Sequence, residues 1–438
     1  MSMLSIPSAF VINPVLTFIS RHYYGWYLNG VGWFIFGKTI LLIFSVSALL
    51  ALMLTGGYFF NLQQAQLVNL YFYLPLLIIV GTISTYSAEL LNLIGKSRTF
   101  ILLNGLDMWG KITFIATSIL FLPSVATTVL SAITIWGGVF SLLCIYLIRT
   151  YTNNVQVDEA EQPPLIQTFD IRGVFRFAWP LAVATSFYWC QTDGYRFVLA
   201  YVTEVKLVGK FVAGFTMGGA LMSALDIIFH QLYLPKYYKE ISIETIEHHT
   251  AAWDKYAYTL VLVFIPFGLY ISCATPFLAR WLLGSDYWDV GFYASIGALS
   301  QLFRIFSGAL SNGIIIGRQT GALVLPNLVG AAIALAGTLL LTPKLSFMGA
   351  GFSLMISHFF VSIGLFFKLS HKLPIQLPFR AMLRALKYVI PICLVLLSLK
   401  QFEFQVVPVL NLLTLLGTGS CLLYTQWVLS RDLWFAGR

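Results

Sequence analysis

The stretch GALVLPNLVGAAIALAGTLLLT, residues 321–342, is long and apolar enough to cross a bilayer as one helix. Such a helix needs about 20 predominantly apolar residues. Further stretches of similar length and character lie on both sides of it, separated by short polar breaks. The twelve predicted helices cover about 38–59, 67–92, 101–122, 126–148, 174–200, 207–234, 254–277, 288–315, 321–342, 347–368, 384–400 and 405–428. The sequence therefore predicts an all-α, polytopic helical membrane protein.

The second half of the chain repeats features of the first half. Gly95-Lys96 ends one apolar stretch, and Asn104 lies inside the next one. Gly317-Arg318 and Asn327 repeat this arrangement roughly 220 residues later. Two pseudo-symmetric halves are the usual plan of a secondary transporter, in which the substrate site lies between the halves.

The repeat and the polar breaks divide the chain into four predicted regions. They are an N-terminal half at 1–149, a linker at 150–172, a six-helix C-terminal half at 173–370, and two extra helices with a tail at 371–438. A short apolar piece at about 4–20 precedes the four complete helices of the first half, and we expect it to form a helical fragment. The breaks alternate in Lys and Arg content, which places the linker and the C-terminus in the cytoplasm.

The composition excludes several classes of protein. Only 10% of the residues are charged and 58% are hydrophobic, whereas a soluble domain has roughly 25% charged residues. In a membrane protein, excess Lys and Arg residues set the orientation of the helices across the bilayer, and this explains the net charge of +9. We therefore expect no nucleic-acid partner. The five cysteines show no metal-ligand spacing, and no Walker loop or nucleophile motif is recognisable. We therefore expect no cofactor, no metal and no enzymatic activity.

Arg304 is the most informative polar residue, because a charge at the bilayer centre costs about 2.5–3.5 kcal/mol on insertion scales. It lies near the middle of its predicted helix. Other polar residues, spaced three or four positions apart, lie on the same face of the helix as Arg304 and form a predicted cavity stripe: Gln301, Ser307, Ser311 and Asn312. The stripe predicts that Arg304 faces a wet cavity and binds an anionic substrate. The alternative is a guanidinium satisfied by carbonyl groups or by an acid elsewhere in the chain.

Two other helices carry ionisable pairs at i,i+4 spacing. Lys111 is a second candidate cavity cation, and Asp107 either tunes its charge or neutralises it in an internal ion pair. Asp226 and His230 are candidates for proton coupling. Burial raises the pKa of a carboxyl group, and histidine titrates near neutrality. A structural hydrogen bond between Asp226 and His230 is the alternative.

One helix end carries a further pair, Asp193 and Arg196, which is a candidate external gate or a structural clamp. Lys210 in the next helix is an alternative partner for Asp193. Gly214 and Gly218 form a small-xxx-small pattern, which predicts close packing against a neighbouring helix.

Three nearby segments resemble the middle of the bacterial polysaccharide flippases, which translocate lipid-linked oligosaccharides for O-antigen and capsule synthesis. The segments are FAWPLA at 177–182, DGYRFVL at 193–199 and VGKFVAG at 208–214. The family is related to the multidrug extruders within one exporter superfamily. It has a proline early in the seventh helix, an Asp near an Arg at that helix's outer end, and a Gly-aromatic pair opening the eighth. The spacing of Asp193 and Arg196 is looser than the usual form.

The resemblance implies flipping of an undecaprenyl-diphosphate-linked oligosaccharide across the bacterial inner membrane. Its implied partners are membrane lipids, a coupling proton or sodium ion, and the polysaccharide polymerase machinery. Fewer helices precede the linker than in the family, so the first helix and part of the second are expected to be absent. The alternatives are a drug or cation antiporter of the same fold, a non-transporting remnant, and an O-antigen polymerase.

Overall fold

The computed structural model describes residues 10, 12–28, 30–61, 68–121, 125–153, 171–240, 246–316, 319–401 and 415–425. Within these ranges the protein is helical and contains no strand. The α-helices are α1 (Asn13–Leu28), α2 (Gly32–Asn61), α3 (Val68–Leu93), α4 (Ser97–Phe121), α5 (Val125–Asn153), α6 (Ile171–Trp189), α7 (Tyr195–Val202), α8 (Val205–Glu240), α9 (Ile246–Leu282), α10 (Gly291–Ile316), α11 (Val324–Leu345), α12 (Phe347–Ser370), α13 (Phe379–Gln401) and α14 (Leu415–Thr425). A π-helical turn, Cys190–Gly194, joins α6 to α7.

The predicted all-α, polytopic architecture is confirmed. The first eleven predicted spans all fall on described helices. The twelfth, 405–428, is described only at Leu415–Thr425, which is helical. The fragment predicted at 4–20 is observed as α1, displaced toward the C-terminus, and residues 1–9 lie outside the described part. α1 continues through Gly25 to Leu28, and Gly30 after it has a φ of +74°, which suits glycine.

Eight described helices are long and apolar enough to cross a membrane. They are α2, α3, α5, α8, α9, α11, α12 and α13. The 25-residue α4 and the 26-residue α10 are comparable in length but are not among these eight. These two helices carry Asp107 with Lys111 and Arg304, respectively. Both predicted cavity cations therefore lie on long helices outside the set of eight.

The described residues divide into two compact units, one ending at Ser186 and the other beginning at Phe187. In the first unit α1 packs on α2 and α3, and α5 packs on α3 and α4. Phe36 stacks on the fully buried Tyr86 with ring centroids 6.2 Å apart. The Ser141 hydroxyl of α5 donates to the Val80 carbonyl of α3 at 3.1 Å. Apolar burial and this hydrogen bond together hold the unit's helices side by side.

In the second unit α12 packs on α10 and α11, and α10 also packs on α8 and α9. α8 lies close to α10 and to the turn before it at glycine positions: a Cβ on Gly214 would lie 2.7 Å from the Cβ of Val290, the residue that precedes α10. Gly218 lies directly against the carbonyl of Ala294. The packing predicted from the small-xxx-small pattern is thus confirmed.

The boundary between the units falls inside α6, rather than in the predicted linker at 150–172. α5 ends at Asn153 and α6 begins at Ile171, so most of that linker lies outside the described residues. The predicted division into 1–149, 173–370 and 371–438, and the two-fold relation between the halves, stay predictions.

Candidate functional site

The candidate site is built around Arg304, near the middle of α10. Its side chain is half-buried, and its guanidinium carbon lies 5.6 Å from the centre of the Tyr188 ring. This is a cation–π contact, which attracts the cation without using its N–H donors. Within the described ranges, no carboxylate forms an ion pair with Arg304. No described carboxylate therefore neutralises the guanidinium, and its N–H groups can donate to a bound ligand.

The neighbouring helix α12 adds a histidine to this site. The Ser362 hydroxyl donates to the Phe303 carbonyl at 3.0 Å and to the His358 carbonyl at 2.9 Å, so this part of α12 lies against Arg304's own turn of α10. His358 is only 4% exposed and lies within electrostatic range of Arg304. We refer to Arg304, Tyr188 and His358 as the Arg304 site.

The predicted stripe on α10 is placed unevenly. Gln301 is 7% exposed and Ser307 is 4% exposed, so both are buried against protein. The Ser307 hydroxyl donates to the backbone carbonyl of Arg304 at 2.8 Å, which satisfies it within its own helix. Ser311 and Asn312 are half-buried. The stripe therefore consists of two buried residues beside Arg304 and two more accessible ones further along α10.

A neutral hydrogen-bond network joins the π-helical turn to α11 and α12. The Gln191 amide donates to the Asn327 carbonyl at 3.0 Å, and the Ser357 hydroxyl lies 3.3 Å from the Gln191 side-chain oxygen. Ser357 also donates to the Gly330 carbonyl at 2.7 Å. π-helical turns are frequent at functional sites. Here the turn begins two residues after Tyr188, and the network fixes the segment that carries this ring.

The pair Asp193 and Arg196 lies on the same segment. The Arg196 Nη1 atom is 3.3 Å from Asp193 Oδ1, and the Thr192 hydroxyl donates to the other carboxylate oxygen at 3.2 Å. Lys210, the alternative partner of Asp193, instead lies 3.5 Å from Asp289. The Asp193–Arg196 contact is an ion pair within one helical segment, and its role as gate or clamp stays a prediction.

Asp226 and His230 are brought together on α8. His230 Nδ1 lies 2.8 Å from Asp226 Oδ1 and 3.0 Å from the backbone carbonyl of Asp226. The carboxylate contact is short but poorly aligned for a hydrogen bond. The Tyr256 hydroxyl of α9 lies 3.3 Å from His230 Nε2. The three side chains form a polar chain between α8 and α9.

Lys111 has a different environment in the first unit. Its Nζ atom lies 2.6 Å from Asp107 Oδ2, and the Trp136 indole N–H donates to Asp107 Oδ1 at 3.3 Å. Gly110 lets Trp136 approach, because a Cβ there would collide with the indole ring. The geometry is that of the internal ion pair, which was one of the two readings of the sequence.

Tyr188, Gln191, Tyr256, Trp136 and His358 were not identified as site residues from the sequence. His358 could have been found, because an ionisable residue inside an apolar stretch was the criterion that selected Arg304. Gln191 is likewise a polar residue in an apolar run. Tyr188, Tyr256 and Trp136 gave no signal, since aromatic residues are common in this chain.

No group of three or more metal-ligating side chains occurs within the described ranges. A separate cavity of about 90 Å³ in the second unit is lined by Tyr237, His249, Gln319, Lys368 and Lys372 together with apolar residues. It contains none of the predicted site residues.

Comparison with known proteins identifies the fold. No protein-family model and no curated protein matches the sequence. A MATE protein in the straight conformation matches with a TM-score of 0.65 over 85% of each chain, at 10% identity. A MOP superfamily transporter from Pyrococcus furiosus Vc1 (DSM3638), described as having reversed polarity in its binding pocket, matches with a TM-score of 0.63 over 84% of this chain and 85% of that one, at 12% identity.

The lipid II flippase MurJ, in an inward closed conformation, covers 99% of this chain and 93% of its own, with a TM-score of 0.60 and 13% identity. The chain has the fold of these membrane transporters. The sequence-based resemblance is supported to that extent, while assignment to the polysaccharide flippases stays a prediction.

Proposed function

We propose that this protein flips an undecaprenyl-diphosphate-linked oligosaccharide across the bacterial inner membrane, for O-antigen or capsular polysaccharide synthesis. The observation that carries the proposal is Arg304, a cation near the middle of a membrane-length helix with no carboxylate partner among the described residues. A charge near the bilayer centre costs free energy, and residues that carry one there usually have a function. Binding an anionic headgroup supplies such a function.

Arginine suits this substrate chemically. Its planar guanidinium donates two parallel hydrogen bonds to a phosphate, which a lysine cannot do. The Tyr188 ring attracts the guanidinium through a cation–π contact, which does not use its N–H donors. A diphosphate leaving water needs several donors, because an unsatisfied buried charge is costly. Alternating access between two halves of this fold then moves the headgroup, while the lipid tail stays in the bilayer.

Cation or drug antiport is the second candidate, and one observation favours it. The carboxylates of Asp193 and Asp226 both lie within electrostatic range of Tyr188. However, Asp193 is paired with Arg196, and Asp226 contacts His230. Because these acids have basic neighbours, and Arg304 forms no ion pair with a described carboxylate, the balance of charge favours an anionic substrate.

Complementation of a strain that lacks its own glycan flippase tests the proposal. Arg304→Ala should abolish surface glycan while the protein still inserts at normal levels. Arg304→Lys should be partly active, because it keeps the charge and loses the two-pronged geometry. Lys344→Ala, which removes an exposed lysine in the last turn of α11, is the matched control and should be fully active.

Normal surface glycan from Arg304→Ala would contradict the anionic-substrate proposal. Equal loss from Arg304→Ala and Lys344→Ala would show that the assay reports general loss of positive charge. Drug resistance that depends on Asp226 and not on Arg304 would favour the antiporter.

A further inference from the structure

His358 is a buried imidazole whose hydrogen bonding is incomplete. Its Nδ1 atom is inaccessible to solvent and has no hydrogen-bond partner among the described residues. Buried polar groups in proteins are nearly always paired, so each exception calls for an explanation. Serine residues on the same helix do not provide one, because Ser357 and Ser362 bond elsewhere. His358 lies one helical turn before Ser362, whose hydroxyl donates to Phe303 of α10.

The charges around His358 are unusual for a histidine. The ionisable groups that neighbouring elements bring toward the Arg304 site are Arg304 from α10, Tyr188 and Asp193 from α6 and the π-helical turn, and Asp226 from α8. Arg304 is the charged group that acts directly on His358. The remaining neighbour, α11, has Lys344 as its one ionisable residue, in its last turn. An imidazolium here would therefore stand beside a guanidinium.

Like charges that share a site disfavour each other, and an anion placed between them removes that repulsion. A phosphate bound at Arg304 would also offer oxygen acceptors to a donor on His358. The protonated ring donates from both nitrogens, so it satisfies the Nδ1 atom that is otherwise unpaired. Without the anion, Arg304 disfavours protonation of His358. With a phosphate bound between them, protonation of His358 becomes favourable.

We propose that His358 is an anion-linked proton site: it takes up one proton from solvent when a phosphate group binds at Arg304, and it donates a hydrogen bond to that phosphate. The proton returns to solvent when the phosphate leaves. This inference rests on the proposed function and names the coupling ion as a proton that travels with the substrate. Binding must then tighten as pH falls, because the bound state holds one more proton.

Isothermal titration calorimetry of the full chain in nanodiscs tests the proposal. The probe is a short-chain prenyl diphosphate N-acetylglucosamine. Its diphosphate is a diester, so it lacks the second phosphate proton that titrates at about pH 6. Titrations in two buffers with different heats of ionisation count the protons taken up per molecule bound. The wild type should take up about one proton, and its affinity should fall about tenfold per pH unit as pH rises.

His358→Gln should bind with a proton count near zero and a nearly flat pH dependence. His371→Gln, which removes an exposed histidine just after α12, should behave as the wild type. A wild-type count near zero would overturn the proposal without any variant, and so would an unchanged count in His358→Gln. If the probe binds equally well to Arg304→Ala, the proposed function fails instead, whatever the proton count.

Discussion

Lys111 and Arg304 are both cations near the middle of membrane-length helices, yet their surroundings differ. Lys111 in α4 has Asp107 one turn earlier at 2.6 Å, and Trp136 donates to the other oxygen of that carboxylate. Arg304 in α10 has an aromatic ring at 5.6 Å and the buried His358 nearby. One charge is neutralised within the protein, and no described carboxylate neutralises the other.

The difference separates a structural ion pair from a binding residue. In the Lys111–Asp107 pair the two charges neutralise each other, and the hydrogen bond from Trp136 to Asp107 helps join α4 to α5. A cation that keeps both charge and donors is complementary to an anion from outside. Residue type and depth are similar in the two cases, so the immediate neighbours decide the role.

The first test of this comparison gives Arg304 a carboxylate partner one helical turn away, as Lys111 has. Gly308 lies one turn after Arg304, and a Cβ at this position would meet no atom within 4 Å. Gly308→Glu should pair with Arg304 at i,i+4 spacing and reduce glycan export to background, as Arg304→Ala does. Surface-glycan staining in the complementation strain measures this effect.

Gly308→Gln is the control for size, and it should retain most of the export. If the Gln and Glu variants lose export equally, the loss comes from bulk and the charge argument fails. Full export from Gly308→Glu would show that neutralising Arg304 has no consequence.

The opposite change removes the partner that Lys111 has. Asp107→Asn should lower stability by about 1 kcal/mol, at the low end for a broken pair because Lys111 is 35% exposed. Adding Lys111→Met to Asp107→Asn should restore most of the loss, since no unpaired charge then remains. Thermal unfolding of the purified variants in detergent measures both effects. No recovery in the double variant would show that the carboxylate acts through Trp136 alone.

Much of the architecture could be predicted, because bilayer thickness imposes a length on every spanning helix. The apolar stretches and their breaks located helices α2 to α13, with one predicted span, 174–200, covering both α6 and α7. The ends were less predictable: the fragment predicted at 4–20 extends as α1 to Leu28, because the helix continues through Arg21, His22 and Gly25.

The site was predicted in part, for a physical reason. An isolated charge in an apolar stretch is visible in the sequence, and so Arg304, Lys111 and Asp226 were found. Whether a charge is neutralised depends on contacts between helices. Trp136 reaches Asp107 from 29 residues away, and Tyr188 reaches Arg304 from another helix. Such contacts leave no local pattern, and therefore the two readings of Lys111 could not be separated by sequence.

Equilibrium binding of the prenyl diphosphate probe to wild type, Arg304→Ala and Lys111→Ala tests the central claim most directly. Charge-assisted hydrogen bonds contribute about 1.5–3 kcal/mol each, so losing the guanidinium should weaken binding by at least about tenfold. Lys111→Ala should change the affinity by less than about twofold, because Asp107 already neutralises this lysine. Equal losses in the two variants, or a larger loss in Lys111→Ala, would contradict the account.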